Sequence, residues 1–175
     1  LAGGLQASLF GDDKLDPEVL SFGRLEKLLA EHWLEDGYES AAQREEYKRK
    51  AKKSLHSFFD NFCSGGLPAP LFLEKNFAFK IAGETIKGTI DRVDRLDGGA
   101  EIIDYKTGNP KLKLDWDAKR QLILYQLFLE EVLQIKVLSL KYYYVEDGSV
   151  ISFLPKETEK EKLRQQIKRI RKVNR

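Results

Sequence analysis

The sequence predicts an α/β fold, a central mixed β-sheet flanked by helices. Three observations support this class. Apolar residues recur at helical spacing in the first third of the chain, apolar and polar residues alternate in the middle, and a charged helical segment ends it. The predicted order is helix, helix, three strands, helix, strand, strand and helix. A sheet covered by helices is the economical way to bury the apolar face of every element.

Two helices are predicted near the start of the chain. Residues 1–14 carry glycines and no apolar period, which is typical of a loop. Apolar residues at helical spacing predict a helix from Pro17 to about Asp36 and a second from about Ser40 to Phe62. The run Ser64-Gly65-Gly66, with the prolines that follow it, ends the second helix and predicts a loop.

The apolar period then changes from that of a helix to that of a strand. Strands are predicted from Leu71 to Ile81, from Thr85 to Leu96 and from Ala100 to Lys106. A helix from about Asp115 to Leu133 follows, with Asp115 as its N-cap. The last predicted elements are two strands, Val137–Val145 and Val150–Leu154, and a basic helix from Lys156.

Composition limits the class of protein. The 175 residues are 42% hydrophobic and 33% charged, which suits one folded domain with a sizeable core. The longest uncharged stretch, Asn61 to Leu73, is broken by glycine and proline, and a transmembrane helix needs about 18 or more apolar residues. No membrane partner is therefore expected. Cys63 is the single cysteine of the sequence, which excludes an internal disulfide and favours a reducing, cytoplasmic compartment.

Basic residues are concentrated at the end of the chain. The sequence has 30 Lys and Arg against 28 Asp and Glu, yet residues 156–175 hold nine basic residues and three glutamates. One interpretation is a solvated helix whose cations favour its own C-terminal dipole. The other is a strip that faces phosphates, formed by Lys168, Arg169, Arg171 and Lys172. Composition leaves both open.

The candidate chemistry lies between Gly88 and Gly108. Asp97-Gly98, between two β-rich runs, predicts a hairpin with a two-residue loop. The register of that hairpin places Asp91 directly opposite Asp104, with Cβ atoms roughly 4.5–5.5 Å apart. Like charges at this distance repel each other, so the pair predicts a cation between the two carboxylates.

Lys106 lies on the same face of the strand as Asp104. Two carboxylates suit Mg²⁺ or Mn²⁺, and a lysine beside the metal can orient or deprotonate water and offset charge on phosphorus. The pattern indicates metal-assisted phosphodiester hydrolysis. The alternative is three unrelated exposed residues, because Asp-x-Lys is a common tripeptide. A three-residue loop would place Asp91 opposite Tyr105 and break the site.

Gln121 and Tyr125 are four residues apart in the predicted helix and therefore lie on one face. They either face the metal site and the substrate, or Tyr125 is part of the core beside its apolar neighbours. Basic residues just before the helix or at its start are candidate phosphate contacts: Lys111, Lys113, Lys119 and Arg120.

The motifs GTIDRVD, IIDYKTG and QLILY, in this order, resemble those of the RecB-like branch of the PD-(D/E)xK nuclease superfamily. The likeness extends from about Phe72 to Val145 and is greatest to modules fused to UvrD-type DNA helicases or found in AddB-type repair complexes. It implies a restriction-endonuclease-like core and a Mg²⁺- or Mn²⁺-dependent exonuclease. It also implies that the substrate is DNA, single-stranded and delivered by a helicase domain or subunit, in repair or recombination.

The resemblance implies roles for individual residues. Asp91 and Asp104 match metal ligands of the family, and the backbone carbonyl at Tyr105 matches a further ligand. Lys106 matches the catalytic lysine. The Gln and Tyr of the third motif contact the site or DNA in the family, which assigns those roles here to Gln121 and Tyr125.

Other family features are partly matched. Glu74 resembles an acidic residue that precedes the first motif and is a candidate to support the metal ligands. The family's upstream histidine ligand has no counterpart, since neither His32 nor His56 has the required setting. We expect that ligand to lie before Leu1, in a longer protein. The cysteines that hold a [4Fe–4S] cluster in some members are also lacking, so no such cluster is expected within these residues.

We therefore predict one nuclease domain over residues 1–175. It comprises a helical lead-in at 1–66, a catalytic sheet with its helix at 67–155, and a basic helix at 156–175. The rival prediction is a catalytically incomplete DNA-binding or scaffolding module with the same fold. The three residues Asp91, Asp104 and Lys106 argue against it, because a scaffold does not require two carboxylates face to face.

Overall fold

The computed structural model describes residues 21–62, 70–108, 110 and 113–173. These residues form four helices and five strands in the predicted order. The helices are α1 (Phe22–Glu31), α2 (Ala41–Phe62), α3 (Trp116–Glu131) and α4 (Glu157–Val173). The strands are β1 (Pro70–Ile81), β2 (Glu84–Leu96), β3 (Gly99–Lys106), β4 (Val137–Tyr144) and β5 (Val150–Phe153).

The five strands form one sheet in the order β1-β2-β3-β4-β5. All neighbours are antiparallel except β3 and β4, which are parallel. A parallel pair needs a crossover connection, and α3 provides it. The mixed sheet flanked by helices confirms the predicted fold class.

Local capping sets the ends of two helices. Asp115 is the N-cap of α3, as predicted, and its carboxylate accepts the backbone N–H of Ala118 at 2.7 Å. The predicted first helix extended to about Asp36, but α1 ends at Glu31 with His32 as its C-cap. Its predicted first residues, 17–20, lie outside the described part of the chain. So do the predicted loops at 1–14 and 64–68.

Helices cover both faces of the sheet. Successive residues of β4 point to opposite faces. Tyr142 donates a hydrogen bond to the carbonyl of Ala118 in α3, whereas Tyr143 contacts Phe58 of α2 with ring centroids 6.0 Å apart. α2 and α3 therefore lie on opposite faces, and α4 adds its buried Leu163 and Ile167 to the core that α3 shares with the sheet.

No helix in the described ranges combines the length and the apolar character that crossing a membrane requires.

Candidate active site

The β2–β3 hairpin has the predicted register. The pairs run from Leu96 opposite Gly99 to Arg92 opposite Ile103. One residue further along, Asp91 comes next to β3 and its Oδ2 atom accepts the backbone N–H of Tyr105 at 2.9 Å. The hydrogen bond fixes this carboxylate along the end of β3, where the second carboxylate lies.

The backbone around Asp91 departs from regular strand geometry. Ile90 and Val93 both belong to the hydrophobic core, although strict alternation would turn them to opposite faces. In the β1–β2 register Glu74 falls opposite Asp91 and has a φ of +47°. Irregular positions of this kind re-aim side chains beside active sites. Glu74 itself is exposed, and its role stays a prediction.

Asp104 is buried at the end of β3, with 2% of its surface exposed. Burial raises the pKa of this carboxyl, the negative charge of Asp91 raises it further, and Lys106 opposes the shift. The Nζ atom of Lys106 lies 2.6 Å from Oδ2 of Asp104. The predicted trio is thus assembled, and its two carboxylates influence each other electrostatically.

Gln121 connects the lysine to α3. Its Oε1 atom accepts a hydrogen bond from Nζ of Lys106 at 3.0 Å, and its Nε2 atom donates to the hydroxyl of Tyr125 at 2.7 Å. An ammonium group can only donate, so the amide oxygen must face the lysine and the amide nitrogen must face the tyrosine. The predicted helical pair therefore reaches the site as a short hydrogen-bonded chain.

Tyr125 is part of the core and also contacts Gln121, and its role toward metal or substrate stays a prediction. Its ring is 7% exposed and packs edge-on against Phe77, with centroids 5.6 Å apart. Its hydroxyl meets Gln121. Burial raises the pKa of this phenol, and the negative charges of Asp104 and Asp91 raise it further. The hydroxyl consequently stays protonated and can donate its hydrogen toward the site.

Oxygen donors at this site suit a hard divalent cation. The carboxylates of Asp91 and Asp104 and the backbone carbonyl predicted as a ligand at Tyr105 are the donor type that Mg²⁺ and Mn²⁺ take. A cation between the carboxylates would offset the repulsion that raises the pKa of Asp104. Within the described ranges, no three side chains of His, Cys, Asp or Glu come together as a metal-binding group. The residues present would therefore supply part of a coordination shell.

Both histidines have other neighbours. Nδ1 of His32 lies 2.9 Å from the carbonyl oxygen of Leu28, and Nδ1 of His56 lies 3.0 Å from Oδ2 of Asp60. The first contact lies within α1 and its C-cap, and the second lies within α2.

The candidate phosphate contacts differ in their surroundings. Lys113 is exposed. Arg120 is exposed as well and lies 3.5 Å from Asp117, whereas Lys119 bonds Glu159 of α4 at 3.2 Å. Lys111 lies outside the described residues.

The structure adds three residues that the sequence interpretation missed. Arg92 and Asp94 are 5% and 1% exposed and form an ion pair, with Nε 2.8 Å from Oδ1. Arg92 also interacts with the side chain of Tyr105, the residue that follows Asp104 in β3. The third is Tyr142, whose ring centroid lies 4.9 Å from Nζ of Lys106. Arg92 and Asp94 could have been noted as charges at alternate positions of a central strand, but the Tyr-Tyr-Tyr run gives no such indication.

The mixed sheet brings together two acids and a lysine, the arrangement that the sequence predicted for a nuclease. The family model of the PD-(D/E)XK nuclease superfamily matches residues 6–174. The chain belongs to this superfamily. The predicted superfamily is thereby confirmed, and its RecB-like branch stays a prediction.

Two solved structures resemble the chain in part. One is a "Putative exonuclease" from Eubacterium rectale, 13% identical, with a TM-score of 0.47 and coverage of 83% of this chain and 57% of that chain. The chain thus spans less than two thirds of that protein. The other, SSO0001, is 18% identical, with a TM-score of 0.36 and coverage of 85% and 83%. Among curated proteins, none matches the chain.

Proposed function

We propose that this chain is the nuclease domain of a Mg²⁺- or Mn²⁺-dependent DNA exonuclease. In this proposal it acts in the cytoplasm beside a helicase domain or subunit, on single-stranded DNA, in repair or recombination. The observation that carries the proposal is the assembly of Asp91, from the middle of β2, with Asp104 and Lys106 at the end of β3, where Gln121 contacts the lysine. Superfamily membership supports the reaction class.

The site residues divide the work of hydrolysis. Asp91, Asp104 and the Tyr105 carbonyl would hold the divalent ion. When bound, such an ion supplies Lewis-acid chemistry that lowers the pKa of water and offsets phosphate charge. Lys106 orients the attacking water and counters negative charge as a new oxygen–phosphorus bond forms. The ester bond then breaks, the attacking water gives up a proton to solvent, and the leaving oxygen takes a proton from solvent. Tyr125, held protonated, is a donor for a phosphate oxygen.

Exposed cations offer a path for the DNA backbone. Part of the basic helix α4 is already engaged, since Lys160 lies 2.8 Å from Glu130 and Arg164 pairs with Glu131 of α3. Lys168 and Arg169 lie one to two turns further along α4 and are exposed. Cations in that position suit phosphate contacts, which contribute most of the affinity in binding without sequence preference.

Asp104→Asn and Lys106→Met in the full-length protein test the proposal. Each variant should lose cleavage of end-labelled single-stranded DNA in Mn²⁺ by on the order of 10²-fold or more, because it removes a group aimed at the reacting phosphate. DNA affinity should change little. Asp147→Asn, at an exposed turn, is the matched control and should cleave normally.

The products distinguish the parts of the proposal. Release of short products from labelled ends supports an exonuclease, and internal cuts contradict it. Cleavage of Asp104→Asn at the wild-type rate would refute the site. A wild-type protein that binds DNA and cuts none with either metal would instead favour the non-catalytic module.

A further inference from the structure

We propose that Tyr142 is a positioning residue for Lys106, an inference that rests on the proposed function of that lysine. Tyr142 lies in the middle of β4 and pairs with Asp104 across the parallel β3–β4 ladder. It is 1% exposed, and its ring centroid lies 4.9 Å from the Lys106 ammonium. The lysine therefore has a buried aromatic face as one wall.

The ammonium of Lys106 is held from three different elements. Asp104 of β3 lies 2.6 Å from it, Gln121 of α3 lies 3.0 Å from it, and the Tyr142 ring of β4 faces it. A cation over an aromatic face is attracted by the negative charge of the ring surface. Lysine has four rotatable side-chain bonds, so three contacts from three directions are an effective way to fix its end.

The hydroxyl of Tyr142 extends this role to α3. It donates a hydrogen bond to the backbone carbonyl of Ala118, in the first turn of that helix. Gln121 begins the next turn. One side chain thus contacts the lysine with its ring and fixes, through its hydroxyl, the helix that presents the second lysine partner.

Lys106 would share the Asp104 carboxylate with the metal ion, and this favours uncharged groups as the other partners of the lysine. Asp104 faces both Lys106 and the proposed metal position, so a divalent ion would weaken its hold on the ammonium. A third acid could hold the lysine instead, but it would add to the repulsion between Asp91 and Asp104. The Tyr142 ring and the Gln121 amide hold the cation without adding a net charge. They would keep Lys106 in place both when Asp104 pairs with the lysine and when Asp104 binds the divalent ion.

Nuclear magnetic resonance of the lysine side chains tests the contact directly in the full-length protein without metal. Protons that lie over an aromatic face are shifted upfield. The Lys106 ε-methylene protons, identified by their loss in Lys106→Arg, should be shifted upfield in the wild type and in Tyr142→Phe. The shift should disappear in Tyr142→Leu. A Lys106 signal at the ordinary position in the wild type would overturn the proposal without any variant having to fold.

Tyr143→Leu is the matched control. Tyr143 is the next residue of β4, is equally buried, and contacts Phe58 on the other face of the sheet. Its replacement should lower stability as much as Tyr142→Leu does, yet leave the Lys106 shift in place. Loss of the shift in Tyr143→Leu as well would show that general loosening, not the ring of Tyr142, is responsible.

Kinetics then connect the contact to the reaction. Tyr142→Leu should lower kcat by on the order of 10²-fold, since small misplacements of a reacting group cost that much, with KM for DNA almost unchanged. Tyr142→Phe keeps the ring but loses the hydrogen bond to Ala118, so its kcat should fall between those of the wild type and Tyr142→Leu. An unchanged kcat in Tyr142→Leu, with Asp104→Asn inactive, would refute the positioning role alone. If the wild type cuts no DNA, the proposed function fails. The chemical shift of the Lys106 ε-methylene protons would still show whether the lysine lies over the Tyr142 ring.

Discussion

At the scale of single residues, Asp104 is subject to opposing electrostatic influences on its pKa. The carboxyl is buried and feels the negative charge of Asp91, and both influences favour its neutral form. Lys106 opposes them at 2.6 Å but does not outweigh them. A fold without a catalytic task would gain stability by replacing this acid. The site therefore has a cost in stability that can be measured.

The pH dependence of stability should reveal that cost. Below the ordinary aspartate pKa of about 3.9, Asp104 is protonated in both folded and unfolded states. Above it the unfolded state loses the proton first, because the folded-state pKa is raised. The folded state then binds more protons, so stability falls as pH rises through this window. The slope is at most about 1.4 kcal/mol per pH unit.

Asp104→Asn removes this titration. The free energy of unfolding of the wild type, minus that of the variant, should fall between about pH 4 and the raised pKa and be constant above it. Urea unfolding in the presence of a chelator measures both proteins, and the contributions of groups distant from Asp104 cancel. A difference that rises with pH would mean that Lys106 outweighs burial and Asp91, contrary to the direction given above.

Site residues could be predicted where their position depends on a nearby turn or on the alternation of a single strand. Asp91 and Asp104 follow from one hairpin loop, and Lys106 follows from strand alternation. Arg92 and Asp94 were not recognised, because an Arg-x-Asp segment is typical of exposed strands. Their burial depends on the strands on either side of β2, which only the assembled sheet brings together.

At the scale of elements, the turn between β4 and β5 is fixed by α2. The Ser54 hydroxyl donates to the carbonyl of Glu146 at 3.3 Å, and the Asn61 amide donates to the carbonyl of Gly148 at 3.4 Å. Gly148 has a φ of +74°, and a Cβ atom there would lie 2.0 Å from the Ser57 Oγ. This turn requires glycine for its backbone conformation and also for its close approach to the helix.

Gly98, in the β2–β3 hairpin loop, has the same requirement for backbone conformation but not the requirement for close approach. Its φ of +78° is similar, but apart from its two chain neighbours no described residue has a heavy atom within 4 Å of its Cβ position. Gly98→Ala should cost the backbone strain alone, about 1–2 kcal/mol. Gly148→Ala should cost distinctly more, as measured by urea unfolding. Ser57→Ala should recover part of the excess in a double variant, and equal costs for Gly98→Ala and Gly148→Ala would refute the close packing.

Elements were predictable to the extent that their signals are local. The Asp97-Gly98 loop set the hairpin, and Asp115 set the start of α3, because turn and cap chemistry act over a few residues. The parallel pairing of β4 with β3 was not assigned, since it joins segments more than thirty residues apart. The contact between Tyr142 and Lys106 depends on that pairing and could not be predicted without it.

At the scale of the whole molecule, the site is assembled from four elements. β2 and β3 supply the acids and the lysine, α3 supplies Gln121 and Tyr125, and β4 supplies Tyr142. The crossover through α3 brings β4 beside β3. A divalent ion held between Asp91 and Asp104 would thus stabilise the folded domain as a unit, because the unfolded chain does not bring these carboxylates together.

Metal binding should slow hydrogen exchange throughout the central strands. An ion that binds the folded state alone stabilises it by about 2.7 kcal/mol at 100 times its dissociation constant, which slows exchange through global opening by about 100-fold. Exchange mass spectrometry of the full-length protein, with and without Mn²⁺, measures this in peptides from β2, β3 and β4. The slowing should spread beyond the carboxylates themselves, since these strands open together.

Two variants show whether the ion is held where we propose. Asp91→Asn should remove most of the slowing of hydrogen exchange by Mn²⁺, because one carboxylate and a carbonyl hold such an ion weakly. Asp147→Asn, whose carboxylate accepts the N–H of Ser149 in an exposed turn, should retain all of it. Protection that survives in Asp91→Asn would place the ion elsewhere. Absence of protection in the wild type, at a Mn²⁺ concentration that supports cleavage, would mean that the ion joins the site only together with DNA, and would contradict a preformed carboxylate pair.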